Sequence, residues 1–567
     1  MSKELIIYTR EAIDNIIYDP RLAYSIHLAY VDDNNVVKAF NHNSGVFFAK
    51  ATENEDGSLN PKSLKDPYVF ETKSGIYGIL ATRIEGDGAD DTQSREQLLY
   101  AETEDFVHYI EKGLVSVKDI AFENQIKFYF NEKAKREQKS QSYDFSEIEG
   151  IVFAQVVKIS DSQMEYLKKK LLTPEMTEVK IPNLIKANIK EDLENQFVDT
   201  VFSDGTIVSK KLDIDAASID FSKTGRYTVN ASLVQKHFDN PVAVNRADPD
   251  VAFWNGKYYF IATNDADGNN SLYIRESETI EGLATAKEHL ILDNDMYDNI
   301  KGLLWAPELH EICGRLYIFH AATRGEFFAE ESRLMTLKEG GNPVNKEDWS
   351  RPERIVRMDG SQLCEEGKEI TLDMTCFEWE GDHYVIWSQR QFLPKDLGAW
   401  LYIAKLNPQK PWMLASEPVV LSKPDYGWGN NHTFVEEGPF ALVNGDTLYI
   451  TFSAAAVDVS YVVSYLSIKK GQNLLNPAEW IKNNYPILTA RSVKGEYGTG
   501  HNAYVIDESG TVWNTYHARF GVDAPRSSAI RRVHFDIDGA PMLDVTEELD
   551  IKDSLKDIQI IVEVSNM

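Results

Sequence analysis

A chain of 567 residues is too long for one ordinary core, so two to four domains are expected, and 43% hydrophobic with 26% charged residues excludes a disordered chain. The formal net charge of −30, from 59 basic and 89 acidic residues, repels phosphate backbones and anionic lipids, which argues against nucleic acid and membrane partners. No apolar run approaches the ~18 residues of a membrane span. The start, MSKELIIYTR, is not a basic-then-apolar leader, and Cys313, Cys364 and Cys376 lack metal-type spacing, so reduced thiols and a cytoplasmic location are expected.

In chain order, residues 1–150 carry blade-like strand pairs, among them SIHLAYVDDNNVVKAFNHNSGVFFAKA and KDPYVFETKSGIYGILATR, which holds Asp66. About one and a half such units cannot close a ring. The expectation is a partial propeller-like β domain whose open edges need covering, either by DIQIIVEVS near the C-terminus or by the flank of the larger β domain. Residues 151–174 are expected as a helical linker: SDSQMEYLKKKL has an N-cap candidate in Ser160, and Pro174 closes it. Residues 175–238 alternate and turn at an Asp-Gly, as in VDTVFSDGTIVSKKLDID. They resemble a bacterial immunoglobulin-like β-sandwich with a spacer or packing role. Residues 546–567 end in a separate strand.

Residues 239–545 repeat. Asp248 in ADPDVAFW, Glu308 in WAPELHEI, Asp373 in LDMTCFEW, Glu437 in EEGPFALV and His501 in GHNAYVID are spaced 60, 65, 64 and 64 residues apart. Each opens the same phrase: a β-run, a turn with Asn, Asp or Gly, and an aromatic strand. A period of this length with about four strands per unit predicts a five-bladed β-propeller. The first strand of each blade lines the central channel, so four carboxylates and an imidazole are expected to converge. Crowded acids raise one another's pKa, and one can hold a proton while another stays ionised. Hydrolysis of a glycosidic bond uses that pairing. Two other uses stay open: holding a cation in the channel, or capping strand starts.

The five phrases in this order, ending in GTGHNAYV and YHAR, resemble glycoside hydrolase family 43, over somewhat more than half of the chain. That resemblance implies five-bladed propeller enzymes that invert configuration at the sugar. It makes Asp248 the general base and Glu437, which directly precedes Gly-Pro, the general acid; strand alternation puts only one of Glu436 and Glu437 in the channel. Asp373 matches the acid that raises and orients the general acid. Arg519 of YHAR matches a sugar-hydroxyl contact, and Trp305 of WAPE a wall of the innermost subsite. His501 matches a histidine near a water-coordinated calcium, an ion the chemistry itself does not require. Glu308 has no catalytic counterpart. His432, in WGNNHTFV, either meets substrate or caps a turn. TLDMTCFEWEGDHYVIWSQ sits nearest the α-L-arabinofuranosidase type, implying an exo-acting enzyme on arabino- or arabinoxylo-oligosaccharides. The alternatives are a β-xylosidase, an arabinanase, or a non-catalytic carbohydrate-binding propeller. No EGP, GHN or YHAR counterpart accompanies Asp66, so the first copy is expected to have no acid opposite it.

Overall fold

A computed structural model describes residues 2–12, 18–72, 76–133 and 143–565. The chain is mainly β, and residues 246–532 form the five antiparallel sheets of the propeller. Their innermost strands are Arg246–Trp254, Trp305–Ile312, Glu369–Trp379, Glu436–Asn444 and Tyr497–Ile506, here the first strands of blades I to V. Each packs on the next, and the first packs on the last, so the ring closes. Blades I to IV have four strands and blade V three. The chain entering the propeller adds to blade V's outer edge: Val242 N–H donates to Ser528 O and Ser528 N–H to Ala243 O, both at 2.9 Å.

The turns explain the repeated phrase. In blades I to III two left-handed residues join the first and second strands: Asn255 and Gly256, Cys313 and Gly314, Glu380 and Gly381. That backbone matches the right-handed twist of a two-residue hairpin, and glycine takes it at no steric cost. Cys313 is therefore an exposed turn residue.

Each innermost strand is also bulged at its start, with the bulged residue in the left-handed region: Asp248 (φ 49°), Ala306 (φ 44°), Asp373 (φ 53°), Gly438 (φ 55°) and His501 (φ 51°). This corrects the predicted register. Glu308 lies two residues beyond its blade's bulge and Glu437 one residue before, because a bulge inserts a residue that spacing alone does not reveal.

N-terminal to the propeller are two four-stranded sheets and a short hairpin. In one sheet Ser2–Arg10 pairs with Ile151–Ser160 and with His27–Val31. The expected 151–174 helical linker is thus half strand: IVFAQVVKIS is rich in β-branched residues and completes a sheet. The helix is confined to Asp161–Leu171, with Ser160 as N-cap and Gln163 completing a capping box. The second sheet, Lys62–Glu71 through Tyr109–Ser116, is an up-and-down meander. Its first strand has the same bulge at Asp66 (φ 55°), and Asp66 pairs with Lys133.

These sheets share one core with blades III and IV, in which Leu5, Phe47, Phe106 and Leu167 join Leu401, Trp428 and Ile450. The N-terminal sheets are therefore packed against the propeller's flank. The C-terminal strand, Asp557–Val564, instead pairs with Gly225–Leu233, inside the 175–238 region. There six strands follow one continuous pairing order around a core including Phe202, Val229 and Val562. The small β region is incomplete without the end of the chain.

Candidate active site

Bulged strand starts aim Asp248, Asp373 and His501 into one end of the channel, with Glu437 beside them. Asp248 is buried. Its Oδ1 lies 3.1 Å from His517 Nδ1, 3.3 Å from His501 Nδ1 and 3.3 Å from Arg526 Nη1. Burial opposes its ionisation, but Arg526, His501 and His517 outweigh it and hold its pKa well below the usual carboxylate range. Arg526 is fixed by a fork onto Asp265, at 3.0 and 2.9 Å.

Glu437 Oε1 accepts a hydrogen bond of 2.8 Å from the Tyr461 hydroxyl. Desolvation pushes its pKa up to about 7; the charge of Asp248 adds to this, while the Tyr461 hydrogen bond, Arg526 and Arg390 oppose it. Asp373 Oδ2 accepts the Gly438 N–H at 3.0 Å and lies 3.9 Å from His501 Nδ1. Burial, then the charges of Glu437 and Asp248, raise Asp373 well above its usual value. Glu436 faces the other side of the strand, fully buried against Lys482, which also binds Asp425 at 2.7 Å. Alternation has put one glutamate on each face, with Glu437 toward the channel.

Trp305 is held at the same end by its indole N–H, which donates to Asn269 Oδ1 at 3.0 Å, and its ring meets Phe327 edge-on. Arg519 donates to the carbonyls of Ala524 at 2.8 Å and Val457 at 3.3 Å, so it ties two rim loops together. His432 sits between carboxylates, Nδ1 at 2.9 Å from Asp458 and Nε2 at 3.1 Å from Asp19. Glu308 bonds His310 at 2.7 Å beside Asp250, a separate layer two residues further along the innermost strands.

Sequence reasoning missed Arg526, Asp265, His517 and Tyr461. His517 stood inside the quoted YHAR, but only its arginine was taken as a candidate. Arg526 begins the third strand of blade V, and the third strand of a blade starts at the same channel end as the first; that connectivity was the available signal. For the implied calcium, His501 Nε2 is buried without a hydrogen-bond partner, which fits a contact made through water. Among the described residues no group of three His, Cys, Asp or Glu stands ready to hold a metal directly.

Comparison with known proteins follows the same part of the chain. The pattern of glycosyl hydrolases family 43 matches residues 238–541. An extracellular exo-α-(1→5)-L-arabinofuranosidase of Streptomyces avermitilis is 31% identical over 316 residues, 54% of this chain and 62% of that protein. A protein of the same name from Streptomyces chartreusis is 31% identical over 284 residues, 50% of this chain and 82% of that one. The first of these relatives is therefore spanned over less than two thirds of its length. The crystal structure of an α-L-arabinofuranosidase from Lactobacillus brevis, 29% identical, aligns over 53% of this chain and 94% of its own with a TM-score of 0.47. Both Streptomyces relatives are named as extracellular, and this corrects the expected cytoplasmic location. Few unpaired cysteines mean only that the fold needs no disulfide, which does not mark a compartment. The chain belongs to glycosyl hydrolases family 43.

Proposed function

We propose that this chain is an inverting, exo-acting α-L-arabinofuranosidase that releases terminal arabinofuranosyl residues from arabino- or arabinoxylo-oligosaccharides. The observation that carries the reading is the contrast in surroundings of two carboxyls at one channel end, Asp248 Oδ1 beside Arg526, His501 and His517 and Glu437 Oε1 under the Tyr461 hydroxyl. Those surroundings favour the ionised form of Asp248 and push Glu437 up to about 7, where it can hold a proton. Asp248 takes a proton from a water on one face of the sugar. Glu437 gives its proton to the glycosidic oxygen leaving from the other. The C–O bond to the leaving sugar breaks as the bond to water forms, and the anomeric configuration inverts. Asp248 ends protonated and Glu437 ionised, and exchange with solvent resets both. Asp373 accepts the N–H of Gly438, the residue after the acid, and so holds the strand that carries Glu437 in place. A calcium ion, when bound through water at His501 Nε2, would add positive charge to the channel.

The names of the Streptomyces relatives support arabinofuranose as the sugar. A protein that only bound carbohydrate would have no use for two carboxyls tuned in opposite directions. The test is incubation with α-1,5-linked arabino-oligosaccharides and with nitrophenyl α-L-arabinofuranoside and β-D-xyloside, followed by proton NMR of the first sugar formed. Arabinose released first as its β anomer is expected. Release of the α anomer would reject inversion, preference for the xyloside would move the activity to a β-xylosidase, and no turnover would leave a binding protein.

A further inference from the structure

The family's pattern stops short of the N-terminal region, yet that region reaches the rim of the catalytic cavity. Asp19 is nearly buried and lies 3.1 Å from His432 Nε2. The other ring nitrogen of His432 lies 2.9 Å from Asp458 Oδ2. Asp458 in turn shapes the next turn: its Oδ1 accepts from Ser460 N–H at 2.7 Å and Ser460 Oγ at 2.6 Å, and its carbonyl accepts from Tyr461 N–H at 3.4 Å. Tyr461 is the residue whose hydroxyl bonds Glu437, and its ring stacks on His517 with centroids 5.5 Å apart.

Two further observations point the same way. His432 holds a left-handed backbone (φ 60°), a strained state for a non-glycine residue that persists where surroundings over-determine it. The same loop is gripped by Arg21, which donates to the Asn430 carbonyl and lies over the Phe434 ring. A Cβ at Gly427 would come within 2.6 Å of the Arg21 carbonyl, so the loop is shaped to admit the N-terminal chain.

We propose that the N-terminal region completes the catalytic cavity, with Asp19 as a positioning residue that acts through His432, Asp458 and Tyr461 on Glu437. The inference rests on Glu437 being the general acid. It gives the region before residue 174 a part in the reaction, in place of a free-standing role as a spacer or a carbohydrate-binding unit.

A misplaced acid hurts most where the leaving group needs its proton. In Asp19→Ala, kcat on an α-1,5-arabino-oligosaccharide should fall about tenfold, a fraction of what general acid catalysis supplies. On 2,4-dinitrophenyl arabinofuranoside, whose leaving group departs unaided, the change should stay within about twofold. Asp19→Glu should recover part of the loss. Glu53→Ala, which breaks a surface pair with Lys423 outside this relay, should leave the ratio between the two substrates unchanged. In a Tyr461→Phe background, Asp19→Ala should have no further effect. Equal losses on both substrates, or full additivity with Tyr461→Phe, would overturn the relay. A wild-type protein that cleaves neither substrate would instead reject the reading of Glu437. The relay is then judged by the crystal structure of Asp19→Ala: Tyr461 displaced from Glu437 supports it, and Tyr461 in place overturns it.

Discussion

Asp248 and Glu437 are both carboxylates near the starts of innermost strands, and what separates them is company. Asp248 has the Arg526 guanidinium and two imidazoles on one oxygen; Glu437 has a phenol hydroxyl. As the proposed general acid Glu437 must be protonated, and its surroundings push its pKa up to about 7, so kcat/KM should fall as pH rises through about 7, which a pH–rate profile measures. As the proposed base Asp248 must be ionised, and it is held low, so the acid limb should lie well below the usual carboxylate range. Arg526→Ala removes the largest of the groups that keep it low. Asp248's pKa should then rise, the acid limb should move to higher pH, and kcat/KM should drop about 100-fold at neutral pH, on the order of a general base's contribution. An unmoved acid limb would mean that Arg526 does not tune the base. The two acids themselves were legible in the sequence as motif residues. Arg526 was not: three arginines stand within RSSAIRR, and only the sheet's connectivity selects the one that starts a strand at the channel.

Local elements explain the rest of the GTGHN motif. Gly500 stands where a Cβ would lie 2.5 Å from the Tyr461 ring and 2.7 Å from Ser453 Oγ, while Gly498 (φ +54°) would meet the Asp458 carbonyl at 2.1 Å. The two glycines make room for the turn that carries Tyr461. Gly500→Ala should therefore lower the melting temperature, at an overpacking cost of about 1–3 kcal/mol, and reduce kcat on oligosaccharides. Gly510→Ala, at a left-handed turn (φ +81°) with nothing within 4 Å, should cost stability of about 1 kcal/mol and leave kcat alone. Equal kcat in the two variants would separate Gly500 from the site. At this scale the reading of the sequence was good where signals are local, as at the Ser160 cap and the Asp-Gly hairpin turn at Asp204. It failed at the bulges, whose extra residue shifts Glu308 out of the catalytic ring without changing the pattern of apolar positions. It also failed for IVFAQVVKIS, where pairing with a strand some 150 residues away outweighed its place beside a helix.

Across the whole molecule, the propeller is not an isolated body. Its blades III and IV bury Leu401, Leu421, Trp428 and Ile450 in a core shared with the N-terminal sheets. Removal of residues 1–173 would bare that surface, along with the Asp19 and Arg21 contacts at the rim. The truncated protein is expected to aggregate or to melt well below the full chain, in a thermal unfolding assay. A soluble, equally stable and fully active fragment would show the packing to be incidental. Periodicity gave the five blades, because each blade repeats its own local chemistry. The need for a cover was legible in the unfinished ring, with the propeller's flank as one of two candidates, but the residues that share the core, such as Leu5 and Ile450, carry no mark beyond being apolar.

Glu437→Gln offers the most direct test of the account, with hydrolysis measured on an α-1,5-arabino-oligosaccharide and on an activated aryl arabinofuranoside. Removing the proton donor should cut kcat on the oligosaccharide by about 10²–10⁴-fold and spare most turnover of the activated substrate. Unchanged hydrolysis of the oligosaccharide would contradict the assignment of Glu437, and with it the division of labour between the two carboxylates.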